Sequence, residues 1–175
     1  LEDHVSAARH EKRPVIWFEK NDSLVGLHHL MPLYDAISGE SPVLLSYRSF
    51  RNPKASFFVF SGYVLKEFRN RWFVFGSRIS DNLIYNLALD RIVSIEPSEE
   101  PYHVNPDFDV EHFFDDLIGV SKNIRTRPHR ITFRATREQS QYIKTKPLHP
   151  SQKQIDKNRK DGSCTFEINV CINYE

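Results

Sequence analysis

The sequence predicts an α+β fold: a helix, then a small antiparallel sheet or barrel, then an acidic helical connector and an incomplete α/β module. Three patterns carry that reading. Leu24, Leu27, Leu30, Met31, Tyr34 and Ile37 recur at intervals of three and four, the spacing of one helix face. Between Val43 and Glu96 the period changes to that of short strands dense in aromatic and β-branched residues. Beyond Arg127 a strand, a helix and a second strand follow in turn. The chain divides into a linker with a short extended segment over 1–23, helix and sheet over 24–100, connector over 101–127 and partial C-terminal module over 128–175.

Each element has a local cause. Residues 1–14 are polar, lack periodicity and end at Pro14, after which Val15-Ile16-Trp17-Phe18-Glu19 forms a short extended run stopped by Asn21-Asp22. Pro32 shortens or breaks the helix that follows, and Ser38-Gly39-Glu40 closes it. Val43-Leu44-Leu45-Ser46-Tyr47 reads as a strand. Residues 57–66 and 71–78 read as a hairpin about the polar corner Lys66-Glu67-Phe68-Arg69-Asn70-Arg71. Residues 83–89 and 92–96 complete the set. Gly62 and Gly76 stand where a curled sheet needs bends or bulges, and closure into a barrel would remove exposed edges. Phe108, Val110, Phe113, Phe114, Leu117 and Ile118 predict an amphipathic helix capped by Asn105 or Asp107 and ended by Gly119. The C-terminal module reads as a strand over 130–135, a helix over 137–144, a loop over 147–160 and a strand over 164–172. Two strands and one helix bury little core, so this module reads as truncated or as completed by a partner.

Charge is sharply partitioned. The net charge is +1. Residues 93–120 carry Glu96, Glu99, Glu100, Asp107, Asp109, Glu111, Asp115 and Asp116 with no Lys or Arg. The hairpin region and the residues after 121 are basic. This pattern suits an anionic partner or pairing between modules. The start of the chain shows no signal-peptide pattern, because Glu2, Asp3, His4 and Arg9 interrupt any apolar run, and no segment spans a membrane. Because it begins at Leu1, the sequence reads as a fragment, a processed form or a trimmed chain. Cys164 and Cys171 are seven positions apart, an odd separation that sets them on opposite strand faces. That argues against a disulfide, and the spacing does not suit zinc, so both read as reduced, buried thiols of a cytoplasmic protein.

Catalytic patterns are absent from the sequence: no glycine-rich nucleotide loop, HExxH, CxxC or GxSxG. His28 and His29 are adjacent on a helix, which turns them about 100° apart and makes them a poor metal pair. His103, His112, His129 and His149 are scattered, and Asp115-Asp116 sits on an acidic face. The chain therefore predicts no enzyme, no cofactor and no metal site.

The order of Leu44-Leu45-Ser46-Tyr47, of Tyr63-Val64-Leu65-Lys66 with Arg71-Trp72-Phe73-Val74, and of Leu89-Asp90-Arg91-Ile92 resembles the WYL domain. The triplet that names the family stands here as Trp72-Phe73-Val74. The stretch from Tyr142 to Gln152 is similar to the C-terminal extension that accompanies WYL domains in bacterial regulators. The resemblance implies an Sm-like, SH3-type β-barrel followed by a ferredoxin-like extension. It also implies an N-terminal winged helix-turn-helix that binds promoter DNA, and no recognition helix of that kind is visible in this sequence. The chain would be the ligand-sensing and dimerising part of a cytoplasmic transcriptional regulator, a homodimer that does not engage membranes. A nucleotide or single-stranded nucleic acid is the implied effector. Implied ligand-binding residues are Tyr47, Ser61, Trp72, Phe73 and Arg91, with a basic rim of Arg48, Lys66, Arg69, Arg71 and Arg78.

The departures are specific. Phe73 replaces a tyrosine and loses its hydroxyl. Leu87-Ala88-Leu89-Asp90-Arg91-Ile92 keeps only the second arginine of the closing motif, with Tyr85 at a further arginine position. Ser61-Gly62 stands where a His-Pro or Ser-Pro pair is common. Two alternatives stay open at individual residues. Arg91 can clamp a phosphate or pair with Asp90 or the acidic connector; Tyr47 can stack on a base or serve the core. Two other functions also stay open: an interaction or dimerisation module whose pocket has lost its ligand, and an unrecognised hydrolase with a buried, perturbed His or carboxylate.

Overall fold

The computed structural model describes residues 25–122, 126–156 and 159–175. The expected linker and extended segment over 1–23, with Leu24, lie outside the described residues. A 3-10 turn, Leu27–His29, leads into helix α1, Leu30–Ser38. Pro32 is tolerated because it stands in the first turn of α1, where its missing N–H would have no helical acceptor. The helix turns a different side inward from the one its spacing suggests. Leu33 is buried, with Leu30, Ala36 and Ile37 packed around the core, while Leu27, Met31 and Tyr34 face outward. The buried His29 fixes that rotation, since its Nε2 lies 3.0 Å from the Ile92 carbonyl oxygen.

Five strands follow: β1 (Val43–Tyr47), β2 (Ser56–Phe68), β3 (Arg71–Arg78), β4 (Ile84–Ala88) and β5 (Ile92–Pro97). They pair antiparallel in the order β4-β3-β2-β1-β5. The tight β2–β3 turn places Arg69 at φ 51° and Asn70 at φ 58°. Positive φ at both central residues is the requirement of a two-residue hairpin whose twist matches its strands. A register shift between Gly62 and Val64 realises the expected bulge. Gly62 and Gly76 stand directly opposite each other, and a Cβ on Gly76 would collide with the Ser61 carbonyl oxygen and the Phe60 ring. The ladder is open, with β4 and β5 as edges joined in sequence by a 3-10 turn, Leu89–Arg91. The hydrogen bonding thus gives an open antiparallel sheet and does not show the closure expected of a barrel.

Alternation along the strands makes two cores. Leu45, Phe60, Val74, Leu87, Leu89 and Ile92 pack with Leu33 of α1 on one face. Phe75 meets Phe113 and Val120 on the other, with Val64, Phe68, Phe73 and Phe114 around them. The second core replaces the helix expected over 108–118 with a chain of turns. Asn105 Oδ1 accepts from the Asp107 amide and Asp109 Oδ1 from the Glu111 amide, local bonds that compete with helix formation. Phe108, His112, Asp115 and Leu117 then donate their amides three residues back rather than four. This path lets Phe113 and Phe114 both meet Phe75, with ring centroids 5.9 and 5.0 Å away.

The C-terminal module comprises β6 (His129–Ala135), α2 (Arg137–Thr145), β7 (Lys153–Gln154) and β8 (Cys164–Val170). β8 pairs antiparallel with both other strands in the order β6-β8-β7, so β6 and β7 run alike and form a split β-α-β unit. The short β7 lies inside the segment expected to be loop. Both cysteines are free and buried. The end of the chain ties this module to the connector: Asn173 Nδ2 donates to the Ile118 and Ser121 carbonyls at 2.7 and 3.0 Å. Asn86 of β4 holds the same connector from the other side through Val120 O at 2.8 Å. Among the described residues, no helix is long and apolar enough to cross a membrane.

Burial, and next the neighbouring His28, hold the His29 imidazole below its ordinary value of 6.5. Burial also lowers His149, against an opposing pull from Asp116 and Asp115. The unfolded chain therefore takes up protons that the folded chain refuses, and stability present above the ordinary imidazole range is lost as pH falls through and below it. Urea denaturation is expected to show a lower midpoint at pH 5.5 than at 7.5. The double variant His29→Gln, His149→Gln is expected to lose part of that drop, and an unchanged drop would assign it to other groups.

Candidate anion-binding site

The site forms where β1 ends and the 3-10 turn before β5 begins. The register of β1 against β5 shifts between Ser46 and Tyr47. The next amide, that of Arg48, donates to the Arg91 carbonyl at 3.0 Å. One backbone bond thus fastens the β1–β2 loop to the turn that carries Arg91. Asp90, immediately before it, does not pair with Arg91: its Oδ2 accepts from Arg71 Nη2 at 2.7 Å, at the tip of the hairpin. Nor does the connector supply an acid. Among the described residues the Arg91 guanidinium has no carboxylate partner, and its Nε is buried without an acceptor.

What Arg91 does touch is Phe50. The guanidinium carbon lies 3.8 Å from the centre of the Phe50 ring. Phe50 is 78% exposed, among the described residues the highest exposure of any large apolar side chain but Tyr174. Arg48, Arg51 and Lys54 are exposed in the same loop, and no Asp or Glu occurs between Ser41 and Lys66. An uncompensated cation thus sits among further cations and beside an open aromatic ring. Such an arrangement favours a planar or phosphate-bearing anion.

The other implied residues lie elsewhere. Tyr47 is near this site by sequence and pairing, but its side chain is half-buried against the first core, which is its structural role. Trp72 packs against the same core, while Phe73, one residue on, points to the second. Ser61 is fully buried beneath the connector, where its Oγ accepts the His103 amide at 3.0 Å. Tyr63 beside it donates to the His103 carbonyl and accepts from the Asn105 amide. The five implied residues therefore do not converge on one pocket. Trp72 and Phe73 instead line a cleft of about 440 Å³ with Gly26, Arg69, Arg71 and Asp90.

The implied rim is largely occupied. Lys66 lies over the Phe114 ring at 4.3 Å and Arg69 over Phe68 at 5.1 Å. Arg71 is held by Asp90. Arg78 pairs with Asp81 and donates to Tyr85 Oη. The Arg78 hydrogen bond is the main reason the Asp81 carboxyl is pulled down to about 2. Of that rim only Arg48 belongs with Arg91. Phe50, Arg51 and Lys54 were legible as an acid-free, basic loop holding one aromatic, a signal that strand-centred reading passes over. No cluster of metal-ligating side chains occurs among the described residues.

Comparison with known proteins agrees with the sheet that carries this site. Residues 28–97, which include α1 and all five strands of the first sheet, match the WYL domain family. Among solved structures the chain is similar to proteasome accessory factor B/C (PafBC) of Arthrobacter aurescens, with a TM-score of 0.43 and 13% identity. The likeness covers 88% of this chain and 22% of that one, so this chain spans under a quarter of its neighbour's length. No curated protein matches the sequence.

Ser61→Ala removes the acceptor of a part-buried backbone amide and is expected to cost about 1–3 kcal/mol of stability. It leaves the Arg91 loop intact, so anion binding is expected to stay unchanged. Denaturation and a binding titration on the same variant check both; a loss of binding without a loss of stability would return Ser61 to the site.

Proposed function

We propose that this chain is the ligand-sensing part of a bacterial transcriptional regulator. An anionic effector, a nucleotide or short single-stranded nucleic acid, binds at Arg91, and the signal passes to a DNA-binding domain outside this sequence. The observation that carries the reading is the uncompensated Arg91 guanidinium against the exposed Phe50, within an acid-free loop. The WYL match supports the regulatory setting. In this reading the open five-stranded sheet is an Sm-like barrel in form, and the split β-α-β unit is the first part of a ferredoxin-like extension. The protein acts as a homodimer and not as an enzyme.

Hydrogen bonds around the Leu89–Arg91 turn support a route for the signal in this reading. Arg91 shares the Leu89–Arg91 turn with Asp90, which holds the hairpin tip through Arg71. The strand before that turn, β4, carries Asn86, which holds the connector at Val120. The connector in turn is held by Asn173 of the C-terminal module. A ligand that draws Arg91 outward acts on the one turn to which these contacts lead.

Fluorescence anisotropy of a labelled single-stranded oligonucleotide, titrated at low and moderate salt, tests this function. Binding is expected to weaken with salt by about 0.7 in the log-log slope for each phosphate neutralised. Arg91→Ala is expected to lower affinity about tenfold to a hundredfold, the weight of a charge-assisted hydrogen bond. Arg130→Ala in the C-terminal module is expected to change it little. Equal effects of the two substitutions would leave only non-specific attraction, and no binding by the wild type would reject the function.

A further inference from the structure

We infer that Phe50 is the residue that makes the Arg91 site select an anion carrying a base, an unpaired nucleotide of a single strand, over a bare anion. This inference rests on the binding role assigned to Arg91 above and adds the residue that distinguishes a base-bearing ligand from a bare anion. Three observations converge on it. The first is the ring's position. Phe50 belongs to none of the three hydrophobic cores, and its exposure leaves ring surface open beyond the side that Arg91 covers. A phenyl ring held out in water gains by being covered, and every base offers a flat face for it.

The second observation is that the loop is shaped without the ring. The Asn52 amide donates to Ser49 Oγ at 3.1 Å, and the Lys54 amide donates to Asn52 Oδ1 at 3.0 Å. Pro53 fixes a further backbone torsion between them. The Arg48 amide anchors the loop to Arg91 O. The ring is thus displayed by a structure that its own side chain does not build. Phe50→Ala is expected to fold.

The third observation is the order of charges. Arg48 and Arg51 lie on either side of Phe50 in the chain, with Lys54 beyond and Arg91 beneath the ring. Phosphates on both sides of a stacked base meet cations in that arrangement. An acidic peptide would satisfy the cations equally well but has no flat group for the ring. The guanidinium, ring and base form one stack, in which Arg91 fixes the ring by a cation–π contact while its charge faces the phosphate.

The test uses the full chain and two labelled single strands of about ten nucleotides, a length within the usual footprint of a single-strand site. One is oligodeoxythymidine and the other is its abasic counterpart, which has the same backbone charge. The wild type is expected to bind the base-bearing strand about 5- to 100-fold more tightly, the range that one stacked base confers. Phe50→Ala is expected to abolish that preference while leaving abasic binding within about twofold, and Phe50→Trp to preserve it. Equal weakening of both strands by Phe50→Ala would overturn the inference and leave the ring as a support for Arg91. An unchanged preference in Phe50→Ala would overturn it too, as would a polyglutamate peptide of matching charge binding as tightly as oligodeoxythymidine. Failure of the wild type to bind either strand would reject the Arg91 site itself, a result distinct from any that concerns Phe50 alone.

Discussion

Asp90 is flanked by two arginines, Arg91 beside it in sequence and Arg71 across the hairpin, and its bond to Arg71 decides the character of the molecule. That bond joins the hairpin tip to the turn between the two edge strands. It also spends the nearest carboxylate. The pair is partly exposed, so its direct contribution to stability is small. Its consequence for charge is larger. Had Asp90 folded back onto its neighbour, the turn would carry no net charge toward solvent and the loop above it would offer only flexible cations. With Asp90 turned away, Arg91 has no carboxylate partner among the described residues and lies against the Phe50 ring.

The same sheet has a second side that the connector uses fully. Ser61, Tyr63, Phe73 and Phe75 face residues 102–120, and their polar groups are satisfied there. Burying acidic sequence beside a basic hairpin works because the acids stay outside while the phenylalanines go in. Phe113 is buried, whereas Glu111, His112 and Asp115 are exposed. Lys66 and Lys122 lie over Phe114 and Phe113, and Lys122 also holds Asp116 at 2.8 Å. Cys171 joins this contact, its amide donating to the Asp116 carbonyl at 2.7 Å and its thiol lying 3.3 Å from the same residue's carboxylate. Burial, reinforced by that carboxylate, raises the Cys171 thiol and keeps it a structural group. Asp116 is therefore the connector carboxylate that joins the modules, and among the described residues no connector carboxylate pairs with Arg91.

The strands were readable because their cause is local: aromatic and β-branched runs broken by a polar corner, with glycines at the bends. The corner itself proved to be the two residues Arg69 and Asn70 rather than the six from Lys66 to Arg71. The C-terminal helix was readable for the same reason, with Thr136 Oγ1 accepting the Gln139 amide as its cap. The connector was not readable as turns. Its phenylalanines have helical spacing, and only the need to reach Phe75 from two positions makes the turns preferable. The side of α1 that faces inward was hidden too, because it is set by a single bond from His29 to a strand residue 63 positions away. The site was half legible. Arg91 stands in a recognisable motif, but whether Asp90 pairs with it is decided across the hairpin. Phe50 has no sequence signal of its own beyond being aromatic in a loop without acids.

The most direct test of this account is the NMR signal of the Arg91 Nε–H group during titration with single-stranded DNA. The account predicts that this signal and the Phe50 ring protons shift together, with one affinity, while resonances of Trp72 and of the C-terminal module stay near their starting positions. Shifts centred on the cleft beside Trp72 and Arg69, with Arg91 and Phe50 unmoved, would contradict it.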